Sequence, residues 1–247
     1  MADIADQMRS IPGMGTVEAN RSADVRLPFD AELYAPFIES EDDPESLATF
    51  YETTTNSEAQ YGSPLISVNS DMIKLYNKTA RQKIDIDAFE KGEVCLIGYV
   101  DSISASERMT DKTLTLVNDQ TGGKRQITVG AAIMRTEQSA ITAGYYWTLG
   151  GAPEAIFVSD AVMDDLFPDA EISCIIADAE KGKESEVTPY VQRIVKENPV
   201  IAGSDIRSVE GSEFKKSMLS LEVIGGGISI ILILIGVVNY INVMITG

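Results

Sequence analysis

The last 25 residues, Val223 to Gly247, carry no charged side chain, so all 58 charges of the 247-residue chain lie in residues 1–222. Built as a helix at 1.5 Å per residue, that run reaches roughly 36 Å, enough to cross a hydrocarbon layer of ~30 Å with some tilt. Core helices of soluble domains rarely stay uncharged beyond ~14 residues, so a membrane span is the preferred reading over a buried core helix. A signal peptide would sit at the other end of the chain. A lipid-anchor signal would need a polar spacer after a small-residue site, which the sequence lacks. Residues 1–222 therefore read as a polar body attached to one membrane helix.

The body is acidic. With 20 basic and 38 acidic residues the net charge is −18, which disfavours nucleic acid and anionic lipid surfaces as partners. No histidine is present, which removes Ser–His–Asp and Cys–His machinery and His-based zinc sites. Two cysteines, Cys95 and Cys174, cannot build a multi-cysteine metal site. Each lies in an apolar stretch and is read as a buried free thiol in preference to a disulfide. Charge alone leaves the side of the membrane open. Lys215 and Lys216 before the span favour a cytoplasmic body, but the rule is weak for long domains, and strong acidity suits an extracytoplasmic one equally.

Periodicity predicts an α+β body with a mixed sheet. Ala2–Ser10 reads as a short amphipathic helix stopped at Ile11-Pro12-Gly13, and Thr16–Leu27 as a strand. The cluster Glu39-Ser40-Glu41-Asp42-Asp43-Pro44-Glu45 lacks the spacing of a calcium loop and reads as an acidic turn capping a helix over Pro44–Tyr51. Pro64–Val68 predicts a strand, after which Asn69, Ser70 or Asp71 caps a helix carrying Met72, Ile73, Leu75 and Tyr76. Ile84–Lys91 predicts a linker with one helical turn, closed by Gly92. Val94–Val100 is almost continuously apolar, which predicts a central strand covered on both faces.

Thr113–Val117 and Gln126–Met134 predict two further strands. Thr121-Gly122-Gly123-Lys124 between them resembles the end of a phosphate-binding loop. It lacks the first glycine and the hydroxyl residue after lysine, so a hairpin turn is the better reading. Ala155–Val158 predicts a strand, Asp160–Phe167 a helix capped by Ser159, and Glu171–Ala177 a strand. After a charged turn, Val187–Glu197 predicts a helix with Val187, Tyr190, Val191, Ile194 and Val195 on one face. Tyr145-Tyr146-Trp147 is the one aromatic patch, read as core edge in preference to a partner contact. The last third is expected to pack helices on one face of a sheet.

The apolar run is unusual in its details. Gly225, Gly226, Gly227 and Gly236 leave flat patches where another helix can approach closely. Asn239 and Asn242 are costly against lipid and should face protein. These six residues are the candidate helix-packing site. No catalytic, cofactor or metal residues are expected.

Glu213-Phe214-Lys215-Lys216-Ser217-Met218, then Ile224-Gly225-Gly226-Gly227-Ile228-Ser229 and Leu232 through Asn242, resemble the second transmembrane helix of FtsX-like ABC transporter permeases. The Ile11-Pro12-Gly13 turn, Ile84–Gly92, and Ile156-Phe157-Val158-Ser159 ahead of a helix are similar in order to the MacB-like extracytoplasmic core domain of that family. The resemblance implies an α+β extracytoplasmic domain over 1–207, its middle part (about 60–140) a second, mainly β subdomain, and a stalk and transmembrane helix over 208–247. It implies a bacterial cell-membrane location, a cytoplasmic ABC ATPase as partner, a second permease, identical or different, and contact with membrane lipid but not nucleic acid. It also implies that the helix from about Ser208 through Gly247 passes motion outward, with Gly211 a possible bend. The family usually has further transmembrane helices on both sides, so the sequence is expected to be a fragment or one part of a split gene. Two other classes stay open. One is a single-pass anchored binding or adhesion module. The other is a hydrolase built on paired carboxylates, although no pair stands out by spacing.

Overall fold

The computed structural model describes residues 1–39, 43–56, 62–100, 103–134, 153 and 155–204. The chain divides into two compact units, one of Met1–Ser10 and Met14–Asp178, the other of Ile11–Gly13 and Ala179–Gly247.

The first unit is built on a mixed seven-stranded sheet in the order β4-β5-β3-β6-β2-β1-β7. The strands are β1 (Met14–Val25), β2 (Ser63–Ser67), β3 (Val94–Val100), β4 (Thr113–Val117), β5 (Lys124–Met134), β6 (Ala155–Val158) and β7 (Ile172–Ala179). β2 runs parallel to β6 and β3 parallel to β5, while β3–β6, β4–β5 and β1–β2 are antiparallel. Residues 60–140, expected as a second β subdomain, contribute β2 to β5 of this one sheet. A single bridge between Arg26 and Val117 also ties the chain just after β1 to the end of β4.

Side chains alternate across the pleat, and both faces are covered. Leu65, Cys95, Ile97, Ile156 and Val158 meet residues of α2 (Ala31–Ile38), α6 (Ile103–Met109) and α7 (Asp160–Leu166), including Tyr34, Phe37, Met109, Val162 and Met163. Ile66, Leu96, Ala155 and Phe157 face the other way, against Met72, Ile73 and Tyr76 of α4 (Ser70–Thr79) and Phe89 of α5 (Ile86–Glu90). β3 is thus central and buried on both sides: Cys95, Leu96 and Ile97 are all inaccessible to solvent. Its pairing with β5 slips by one residue between Cys95 and Leu96, and the extra residue on β5 is Gly130, a bulge.

Local chemistry explains most boundaries. The Asn69 carboxamide oxygen accepts the Met72 N–H at 2.9 Å, so of the three candidates Asn69 caps α4. Asp30 and Asp85 cap α2 and α5 in the same way. Asp43 accepts the Ser46 N–H at 3.1 Å and opens α3 (Pro44–Asn56), which runs five residues past its expected end. The Thr121–Lys124 stretch is a hairpin tip, as expected: the buried Asn118 accepts the N–H groups of Gln120 and Thr121 and donates to Leu166 O at 2.7 Å. Cys95 is a free, fully buried thiol, and Cys174 is half-buried.

Two helices had no signal in the sequence. α2 holds an internal proline, Pro36, which argues against a helix on propensity alone. It is retained by burial of Tyr34, Phe37 and Ile38, with the Tyr34 hydroxyl donating to Leu27 O and its ring between Phe29 and Tyr51. α6, seven residues long, is held from outside: Gln82 Oε1 accepts the hydroxyls of Ser106 and Thr110 and the Ala132 N–H. α7 departs in its cap. Ser159 offers no side-chain hydrogen bond to the helix, and its hydroxyl is buried with no partner among the described residues.

Candidate functional site

The six residues proposed for helix packing, Gly225, Gly226, Gly227, Gly236, Asn239 and Asn242, lie outside the described residues, as does Tyr145-Tyr146-Trp147. Among the described residues no helix is long and apolar enough to cross a membrane, and no group of side chains could hold a metal ion.

The described part closest in sequence to the apolar tail is α8 (Glu184–Glu197) with residues 198–204. α8 begins three residues earlier than its apolar pattern predicts, because two glutamates fill its first turn, where the helix dipole favours them. Lys183, just before the helix, pairs with Glu186 at 2.8 Å. That partner raises the Lys183 pKa, first through the hydrogen bond and then through charge. The hydrogen bonds that Glu184 accepts from its own backbone and from Gly182 hold its carboxyl below the usual range. The start of α8 is seated on the Ile11–Gly13 turn. Gly13 O accepts the Glu180 N–H at 2.9 Å. A Cβ on Gly13, whose φ is +83°, would stand 3.2 Å from Lys183 Cβ and 3.5 Å from Val187 Cγ2. Only glycine fits there without strain. The Ile11-Pro12-Gly13 stop signal read in the sequence is therefore also a structural seat for a helix 170 residues further on.

Val187 is the one buried residue of the α8 stripe. Val191, Ile194 and Val195 are half-buried and Tyr190 is 46% exposed, with Arg193 over its ring at 5.7 Å. The helix ends at Asn198, whose side chain donates to Ile194 O at 2.7 Å.

A second cluster forms where the parallel strands β2 and β6 end and lead into α4 and α7 on opposite faces of the sheet. Arg21 of β1 reaches both Asp160 and Asp164 of α7, at 2.9 and 2.8 Å. Burial opposes the guanidinium charge, but hydrogen bonds and charge from the two aspartates outweigh it and raise the Arg21 pKa. The Arg21 N–H donates to Ser67 Oγ, and Asn69 Nδ2 donates to Glu18. The Arg21–Asp160 pair is separated by 139 residues, and Arg21–Asp164 by still more, so no local pattern announces them. The groups satisfy one another, which makes the cluster a structural tie. A third feature is an open depression lined by Ala31, Glu32, Ala35, Arg108 and Lys112, of about 620 Å³. Its cations are already engaged, Arg108 with Glu39 and Lys112 with Glu32. Neither cluster pairs carboxylates around a space for substrate.

No protein-family model matches the chain, and no curated protein matches it. Among solved structures it is similar to the extracellular domain of a noncanonic ABC-type transporter, YknZ, from Gram-positive bacteria. The alignment has 12% sequence identity, covers 79% of this chain and 82% of that one, and gives a TM-score of 0.40. A likeness of that size assigns no activity.

Proposed function

We propose that this chain belongs to a permease subunit of an ABC transporter of the FtsX/MacB type. In this reading residues 1–207 form an extracytoplasmic domain and 208–247 form a stalk and membrane helix in the bacterial cell membrane. A separate cytoplasmic ATPase supplies the energy, a second permease completes the assembly, and the stalk passes movement to the domain for export or extraction of a peptide, drug or lipid cargo. The observation that carries the reading is the uncharged run Val223–Gly247 with its Gly225–Gly227 and Gly236 patches and its two asparagines. Close helix approach and buried amides serve a helix among helices and have no use on a lone anchor. The Cys95 thiol is fully buried and pushed well above the usual thiol range by that burial, so it is no nucleophile.

The test is to change Asn239 and Asn242 to leucine and purify the protein from membranes. A permease helix loses co-purification with an ATPase and with a second permease. An anchored binding module keeps its membrane attachment and shows no partner to lose, an outcome that overturns the permease reading. A water-soluble, monodisperse full chain without detergent overturns both.

A further inference from the structure

The two edges of the sheet are built differently. At one edge β4 is short, with three of its five residues buried. Its last residue, Val117, exchanges both backbone hydrogen bonds with Arg26, at 2.9 and 3.0 Å, so part of that edge is closed. At the other edge, among the described strands, lies β7. β7 has eight residues and none of them is buried. It reads Ile-Ser-Cys-Ile-Ile-Ala-Asp-Ala, largely apolar, with one charge and no proline. Sheets commonly blunt an exposed edge with a short strand, proline, charge or a covering element, and β7 has little of this. Its hydrogen-bonding direction is fixed at its start. The Ser22 N–H donates to Glu171 O at 3.3 Å, so odd-numbered positions face β1. By alternation, Ile172, Ile176 and Asp178 turn their N–H and C=O groups outward.

From this contrast we propose that the outer edge of β7 is a docking site for an extended segment of a partner protein, which joins the sheet as a further strand. The charges around β7 set the chemistry of that segment. From Asp160 to Glu180 the chain has seven acidic residues and no basic one. Asp160 and Asp164 are held by Arg21, and Asp165 by Arg125. Glu171, just before the strand, and Asp178, near its end, are exposed. An apolar, β-branched segment with a basic residue towards each end therefore fits this edge. Ile176 already packs against the sheet core, so an apolar side chain beside it extends a surface that is partly covered. A second copy of β7 fits poorly. Its own acidic ends would fall beside these in a centred register, whichever way it ran. The inference does not depend on the permease reading, because it concerns an edge of the body and no property of the apolar run.

The test uses the purified full chain in detergent and a fluorescently labelled, end-capped peptide, Lys-Val-Thr-Val-Thr-Val-Lys. Anisotropy should show saturable binding, and hydrogen exchange should slow at Ile172, Ile176 and Asp178. The same peptide methylated on its central backbone nitrogens keeps both charges but loses its donors. It should bind at least about tenfold more weakly. The double variant E171K/D178K, altered only at exposed positions, should weaken the lysine peptide about tenfold. It should also bind the same peptide with glutamate in place of both lysines more tightly than the unaltered chain does. No saturable binding up to about 1 mM would overturn the proposal. So would equal binding of the methylated peptide, an unchanged preference in E171K/D178K, or slowed exchange only outside β7. Dimerisation that slows exchange at the same β7 amides would put a second copy on the edge and overturn it as well.

Discussion

β3 and α8 are the two most regular apolar patterns in the body, and the structure treats them in opposite ways. β3 is closed in on every side: strands at both edges, helices over both faces, three consecutive residues inaccessible to solvent. α8 is seated at one end, on Gly13, and keeps most of its stripe half-open. A continuous apolar run needs cover on two faces and finds it within the sheet unit. A one-sided stripe needs a single partner, and among the described residues only its first turn, at Val187, is buried. The lesson is that hydrophobic pattern states how much cover an element requires, not where in the chain that cover lies.

The sharpest way to break the contrast is to empty the closed side. Phe157→Ala, on β6 beside β3, leaves a void against Leu96 and the α4–α5 layer and should cost about 3–5 kcal/mol, read from the denaturant midpoint. Next comes Gly92→Ala. Gly92 has φ +70°, and a Cβ there would sit 2.6 Å from both Arg125 Nη2 and Val162 Cγ2, so a loss of about 1–3 kcal/mol is expected. Alkaline pH should act on the same region. Burial raises the Cys95 thiol above its ordinary 9.0 and the Tyr34 phenol above its ordinary 10.0. In each case the folded state keeps a proton that the unfolded chain gives up. Stability is complete below pH 9 and falls as pH climbs, by at most about 1.4 kcal/mol per unit per group. Cys95→Ala should delay the onset of that fall by about one pH unit, measured as melting temperature against pH. Asn69→Ala removes a cap and the partner of Glu18, for about 1 kcal/mol and faster exchange at the start of α4. On the open side, Val200→Ser, at a residue 64% exposed, should change stability by no more than about 0.5 kcal/mol.

Local rules made much of the fold legible. The short apolar run Ala155–Val158, a cap among Asn69, Ser70 and Asp71, and the Thr121–Lys124 hairpin turn are all decided within a few residues, and the structure has a strand, an Asn69 cap and a hairpin tip there. What escaped is decided at a distance. α2 survives Pro36 because Leu27 and Tyr51 hold Tyr34. α6 depends on Gln82, 24 residues upstream of Ser106. Ser159 looks like a cap in sequence, but its hydroxyl is taken inward. The candidate helix-packing residues were legible as a pattern of glycine and asparagine, and they fall outside the described residues. The Gly13 seat was read only as a helix stop, because its second role requires Lys183 and Val187 beside it.

The position of β6 has a consequence for synthesis. It is the sixth of the described strands to be made, yet it lies between β3 and β2, in the middle of the sheet. A nascent chain released only as far as residue 154 holds two ribbons, β1–β2 and β4–β5–β3, joined among the described strands by the Arg26–Val117 bridge alone. The edges of β2 and β3 then wait, unpaired and apolar, for the four residues of β6. Such a chain gains from a secretion route or chaperone that keeps it extended until β6 emerges, and its aggregation hazard is highest just before that point.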